Sequence, residues 1–236
     1  MKKILYSVAL AACCMGTMTS CSDFLDASNK SNVTAKQSFA TKEGLNNLVN
    51  NAYQHLQNVY AAPLFTSCFS AGTDMYADAR NKMNEALNTY ETLTPENTDI
   101  KNLYTYLYSG IRAANSVSYY AQTAQVDDKT KGQLVGEARV LAAYEYYLLV
   151  NNFGGVPIMK DFLTTADTGY PKSSAADVYA YIISELEDVI SKNVLQASTA
   201  TKGGGRISQE TAKAILAKTY LSAAWDLNKQ EYFSKA

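Results

Sequence analysis

The chain has 236 residues, 47% of them apolar, one histidine, four cysteines and a formal net charge of −1. That is enough material for one or two domains with a real core. The near balance of 21 basic against 22 acidic side chains gives no long-range field that would favour nucleic acid or an anionic membrane surface. One histidine and one cysteine outside the first 21 residues do not make a catalytic zinc site. Tyrosine is the outlier, at 18 residues, and its flat ring with a polar tip suits helix seams and sugar-stacking platforms alike.

Lys2 and Lys3 precede an apolar run from Ile4 to Ala12 and then small residues, the layout of a secretory signal peptide. The run is shorter than the ~20 residues that span a bilayer. Thr17, Met18, Thr19 and Ser20 lead into Cys21 in a pattern similar to a bacterial lipobox. Residues 1–20 are therefore read as a lipoprotein signal, Cys21 as the lipidation site and 21–37 as a polar tether. A competing lipobox ends at Cys13, but cleavage before Cys21 leaves the fuller apolar segment. With Cys13 and Cys14 in the signal and Cys21 acylated, Cys68 is the one free thiol and no intrachain disulfide can form.

Residues 38–236 are expected to form one helical domain. Thr41 is placed to cap a helix over 42–60, whose stripe runs from Leu45 through Leu48, Val49, Ala52, Tyr53, Leu56 and Val59 to Tyr60. Residues 61–97 mix small and polar residues and read as a loop with one or two helical turns. Helix returns over 99–122, with Leu103, Leu107, Ile111, Ala114 and Val117 on one face, and a polar turn at 126–129 leads to the central element. That element, EARVLAAYEYYLLVNNFGGVP from Glu137 to Pro157, puts Leu134, Ala138, Leu141, Ala142, Tyr146 and Leu149 on one face. Gly154, Gly155 and Pro157 stop it. Ser173 or Ser174 caps a further helix with Val178, Ile182, Leu186, Val189 and Ile190 inward, and Ser208 caps the last long one. Successive amphipathic helices joined by turns read as tetratricopeptide-like hairpins, an all-α fold.

Several of these segments together resemble one family. The E-A-R-x-L helix ending in FGGVP, the run from Leu103 to Asn115, the segment from Lys172 to Leu186 and GR-x-S from Gly205 to Leu221 are similar to the SusD/RagB family, as is the start CSDFLD. Those are nutrient-binding surface lipoproteins of Bacteroidetes. The resemblance implies a binding protein rather than an enzyme, with no cofactor or metal. It would be held to the outer membrane through lipid and capture oligosaccharide, less often peptide, for a SusC-type TonB-dependent transporter. Family members are typically about twice this length, so the chain reads as incomplete at its C-terminus. The alternative is a lipid-anchored helical-repeat adaptor that binds only protein.

Other chemistry finds little support. His55 lies on the first amphipathic helix, and Glu185, Glu187 and Asp188 read as the solvated face of a helix whose other side is apolar. Gly203 to Gly205 lack the Lys-Ser/Thr of a phosphate-binding loop. Glu137 and Arg139 are two apart and cannot face each other, so Arg139 is expected to reach an acid on a neighbouring helix. Tyr76, Tyr90 and Tyr170 fall in loops and are the candidates for stacking on sugar, whereas Tyr104, Tyr146 and Tyr220 fall on apolar stripes and are assigned to the core. Asp74 and Asp78 are placed where the family carries an acidic pair.

Overall fold

A computed structural model of the chain describes residues 34–61, 64–76, 85–165, 169–198 and 205–236. Cys13, Cys21, Asp78, Gly203 and Gly204 lie outside them. The chain divides into two units, 1–35 and 36–236, and the second carries the helices below.

Helix α1 (Lys42–Tyr60) starts where Thr41 Oγ1 accepts the Gly44 N–H at 3.1 Å and buries Leu45, Leu48, Val49, Ala52 and Val59. Its stripe ends at Val59, because Tyr60 is 41% exposed. Two short helices, α2 (Leu64–Phe69) and α3 (Glu85–Thr89), lie in the segment read as loop with turns. Helix α4 (Thr98–Ala121) is capped by Asn97, whose side chain accepts the Asp99 and Ile100 N–H groups.

The central helix α5 (Asp128–Phe153) begins earlier than the sequence suggested. Asp127 accepts the Thr130 N–H at 2.9 Å, so the polar stretch expected as a turn is the capped first turn of the helix. This helix touches α1, α4, α6 (Ala175–Lys192) and α7 (Gln209–Asp226). It is therefore buried on more than one side, with Val140, Leu148 and Val150 inside as well as the predicted stripe. Gly154 ends it at φ +68, a backbone that only glycine takes without strain. At Gly155 the constraint is space, since a Cβ would lie 2.2 Å from the Ser173 carbonyl oxygen.

Ser174 and Asp177 form a reciprocal capping box on α6, and Ser208 Oγ accepts the Thr211 N–H on α7, which is followed by α8 (Gln230–Phe233). The all-α, tetratricopeptide-like reading holds, with no strand among the described residues. Tyr146 and Tyr220 are buried and Tyr104 packs half-buried on Phe153.

Polar side chains tie the helices together. Arg139 donates to Glu185 at 2.7 Å and Asp188 at 2.5 Å across α5 and α6. Glu187 accepts the Tyr220 hydroxyl at 2.6 Å. The acidic face read as solvated is thus an interhelical pairing surface, a difference that helix periodicity alone does not disclose. Glu137 is 1% exposed and holds Arg206 at 2.7 Å, with Tyr53 and Gln133 also donating to it. Arg206 in turn reaches Asn46 and Asn50 of α1, and the Ile207 N–H donates to Tyr53 Oη at 2.7 Å. The GR-x-S segment is in this way fastened to α1 and α5.

Candidate functional site

An aromatic surface gathers where α1 ends, α2 begins and α5 passes beside them. Tyr60 closes α1 and Phe65 lies in the first turn of α2, 41% and 38% exposed. Phe69, one helical turn after Phe65, completes the group. The Tyr60 and Phe69 planes are 11° apart with centroids 6.4 Å apart, and Phe65 lies 5.4 Å from Tyr60 and 5.5 Å from Phe69. The Tyr60 hydroxyl is hydrogen-bonded to that of Tyr144, which anchors this end of α1 to α5. Burial of the hydroxyl, with the Tyr144 contact, pushes the Tyr60 phenol above its ordinary range. Tyr144 stacks at 11° on Tyr147, whose own hydroxyl meets Ser222 on α7 at 3.2 Å, with Lys218 over its ring.

Such a surface has the parts that sugar recognition uses. Flat rings offer apolar faces to the C–H side of a pyranose, and hydroxyls and an ammonium at the edge meet its hydroxyls. The rings are fixed by contact with each other and with α5, so little side-chain entropy is lost on stacking.

Of the three tyrosines singled out from the sequence, Tyr90 borders a cleft that α2 also lines. Tyr90 is 57% exposed at φ 63, and its hydroxyl donates to the Gly72 carbonyl at 3.4 Å. It borders a cleft of about 300 Å³ whose wall includes Ser67 and Cys68 of α2 and Phe153 of α5. Phe65 and Phe69 therefore occupy one side of α2, and Ser67 and Cys68 line the cleft. Burial, with Asp99 adding, pushes the Cys68 thiol up to about 11. Tyr76 is half-buried, its N–H donating to the Thr73 carbonyl, and Tyr170 is half-buried in the loop before α6. No ring contact among the described residues joins the three to one another. Asp74 is exposed, and His55 borders a different cleft.

Sequence reading missed Tyr60, Phe65, Phe69, Tyr144 and Tyr147. The spacing of Phe65 and Phe69 was the available signal; Tyr60 and Tyr144 are 84 residues apart, and nothing in the sequence pairs them.

A family model described as SusD-like, starch-binding and associating with outer membrane, matches residues 23–221. The chain belongs to the SusD-like family. A SusD-like protein of Formosa agariphila is 28% identical over 190 residues, 78% of this chain and 36% of that protein. A SusD-like protein of Bacteroides ovatus is 27% identical over 139 residues, 57% of this chain and 24% of its own length. The SusD-like chain thus spans well under half of these curated relatives.

Among solved structures, a SusD homologue from Bacteroides thetaiotaomicron superposes with a TM-score of 0.71 at 21% identity, covering 87% of this chain and 41% of that one. Surface glycan-binding protein A from Bacteroides uniformis gives 0.68 at 24% identity, covering 82% and 44%. A laminarin-binding SusD-like protein gives 0.63 at 21% identity, covering 80% and 41%. At these identities the likeness establishes the SusD-like helical fold.

Proposed function

We propose that this SusD-like chain is part of a cell-surface lipoprotein that captures oligosaccharide by binding, without chemistry, and passes it to a SusC-type TonB-dependent transporter. Cys21 would carry the lipid that holds it on the outer face of the outer membrane, after removal of residues 1–20. The observation that carries the reading is the aromatic surface of Tyr60, Phe65 and Phe69 backed by Tyr144. Its three rings lie within 6.4 Å of one another, with the Tyr60 and Tyr144 hydroxyls beside them. Support comes from the family description, which couples starch binding to the outer membrane, and from the two glycan-binding proteins of like fold.

Retention on native gels containing soluble starch, laminarin and other neutral polysaccharides tests the binding. Retardation by at least one of them is expected, and free migration on a broad panel would overturn the reading. Purification of the native protein from outer membranes tests the partner. A TonB-dependent transporter is expected in the eluate, and its absence would favour a protein-binding adaptor.

A further inference from the structure

A second cleft opens between α1 and α4, with a volume of about 370 Å³, in the range of small-ligand sites. Its floor is Leu48, Ala113 and Ser116, and its walls are the rings of Phe39, Tyr120 and Phe162. These rings support each other, with Phe39 at 4.8 Å and Phe162 at 5.9 Å from Tyr120. At the rim Arg112 lies 4.7 Å over the Phe162 ring, which fixes the plane of its guanidinium. Arg112 Nη1 donates to the Leu163 carbonyl at 2.9 Å. No carboxylate pairs with Arg112 among the described residues, whereas Arg139 holds Glu185 and Asp188 and Arg206 holds Glu137. A guanidinium has five N–H donors in a fork that matches a carboxylate, so donors remain for a ligand.

The other rim groups suit a hydroxylated ring. Ser109 and Ser116 donate their hydroxyl protons to the Thr105 and Ala113 carbonyls of their own helix, leaving oxygens able to accept. Asn51 adds an amide at the opening. His55 also lines the cleft, and its Nδ1 is buried without a hydrogen-bond partner. Burial holds the imidazole below its ordinary range, so it is neutral at pH 7 and does not compete with Arg112 for an anion.

We infer that this cleft binds the hexuronate residue of an acidic glycan, with the carboxylate on Arg112, the apolar ring face on Phe162 and Tyr120, and the hydroxyls on Asn51, Ser109 and His55. The choice of a sugar acid rests on the glycan-binding reading. The cleft itself is separate from the Tyr60 surface, so the SusD-like chain would select charge at one place and stack neutral sugar at another.

Titration calorimetry with galacturonate and galactose at low ionic strength tests this on the intact chain, with Arg112→Gln as the diagnostic variant. Saturable binding of galacturonate is expected, at least tenfold tighter than galactose and lost at least tenfold in Arg112→Gln. Arg112 is exposed, so its variant keeps the fold, which circular dichroism verifies. Equal affinity for the acid and the neutral sugar, no measurable acid binding, or full binding by Arg112→Gln would each overturn the inference. Loss of neutral-polysaccharide retention in the wild type would strike the Tyr60 reading instead.

Discussion

Glu145 lies on α5 with 0% exposure, and both carboxyl oxygens are buried without a hydrogen-bond partner. Burial raises its pKa well above the usual carboxylate range, so the native state holds a neutral acid where the unfolded chain releases the proton. Between the unfolded value and the native one, the native state binds one more proton, and stability falls as pH rises. The slope is tenfold in the folding constant per pH unit, about 1.4 kcal/mol. Glu145→Gln has the same shape and cannot ionise. Urea unfolding followed by circular dichroism at pH 5, 6, 7 and 8 reads the effect. The variant is expected to gain on the wild type as pH rises above the ordinary carboxylate range, by up to about tenfold per unit until the native pKa is passed. A difference that stays constant with pH would refute the reasoning. The neighbouring geometry gives an internal check, because a Cβ on Gly110 would lie 1.7 Å from Glu145 Oε1. Gly110→Ala should cost stability in the wild type and, once Glu145→Ala has removed the carboxyl, gain up to about 1 kcal/mol from helix propensity. Equal cost in both backgrounds would show that the contact is not the cause.

Other outcomes follow from single contacts. Arg206→Ala leaves Glu137 buried without its cation and should destabilise by about 3–5 kcal/mol, read as a lower urea midpoint at unchanged slope. Gly155→Ala forces the Ser173 carbonyl away from α5, whereas Gly154→Ala meets open space but a strained φ; thermal unfolding should show both below the wild type. Cys68, half-buried with its thiol pushed up to about 11, should be alkylated by iodoacetamide at pH 8 far more slowly than after denaturation.

The long helices of the SusD-like chain were legible because apolar spacing and caps agree. Thr41, Ser174 and Ser208 each accept the N–H expected of a cap. The start of α5 was lost because Asp127, Asp128 and Lys129 look like a turn when Asp127 is not recognised as a cap. The expected interhelical partner for Arg139 proved to be Glu185 with Asp188. Arg206 with Glu137 was invisible, being a pair some 70 residues apart with no local signature. Glu145 lies off the apolar stripe read for this helix, and the four neighbours of α5 bury it as well. The candidate site was the least legible part. Periodicity assigns a tyrosine to a stripe, and only the arrangement of neighbouring helices decides whether that stripe is covered.

The measurement that tests the central claim most directly compares the wild type with the Tyr60→Ala/Phe65→Ala double variant by titration calorimetry, using a neutral polysaccharide that retards the wild type. Both side chains are more than one-third exposed, so the fold should survive their loss. A loss of at least tenfold in affinity, about 1.4 kcal/mol or more, is what the aromatic surface predicts. Undiminished binding by a folded double variant would contradict it and move the glycan elsewhere on the chain.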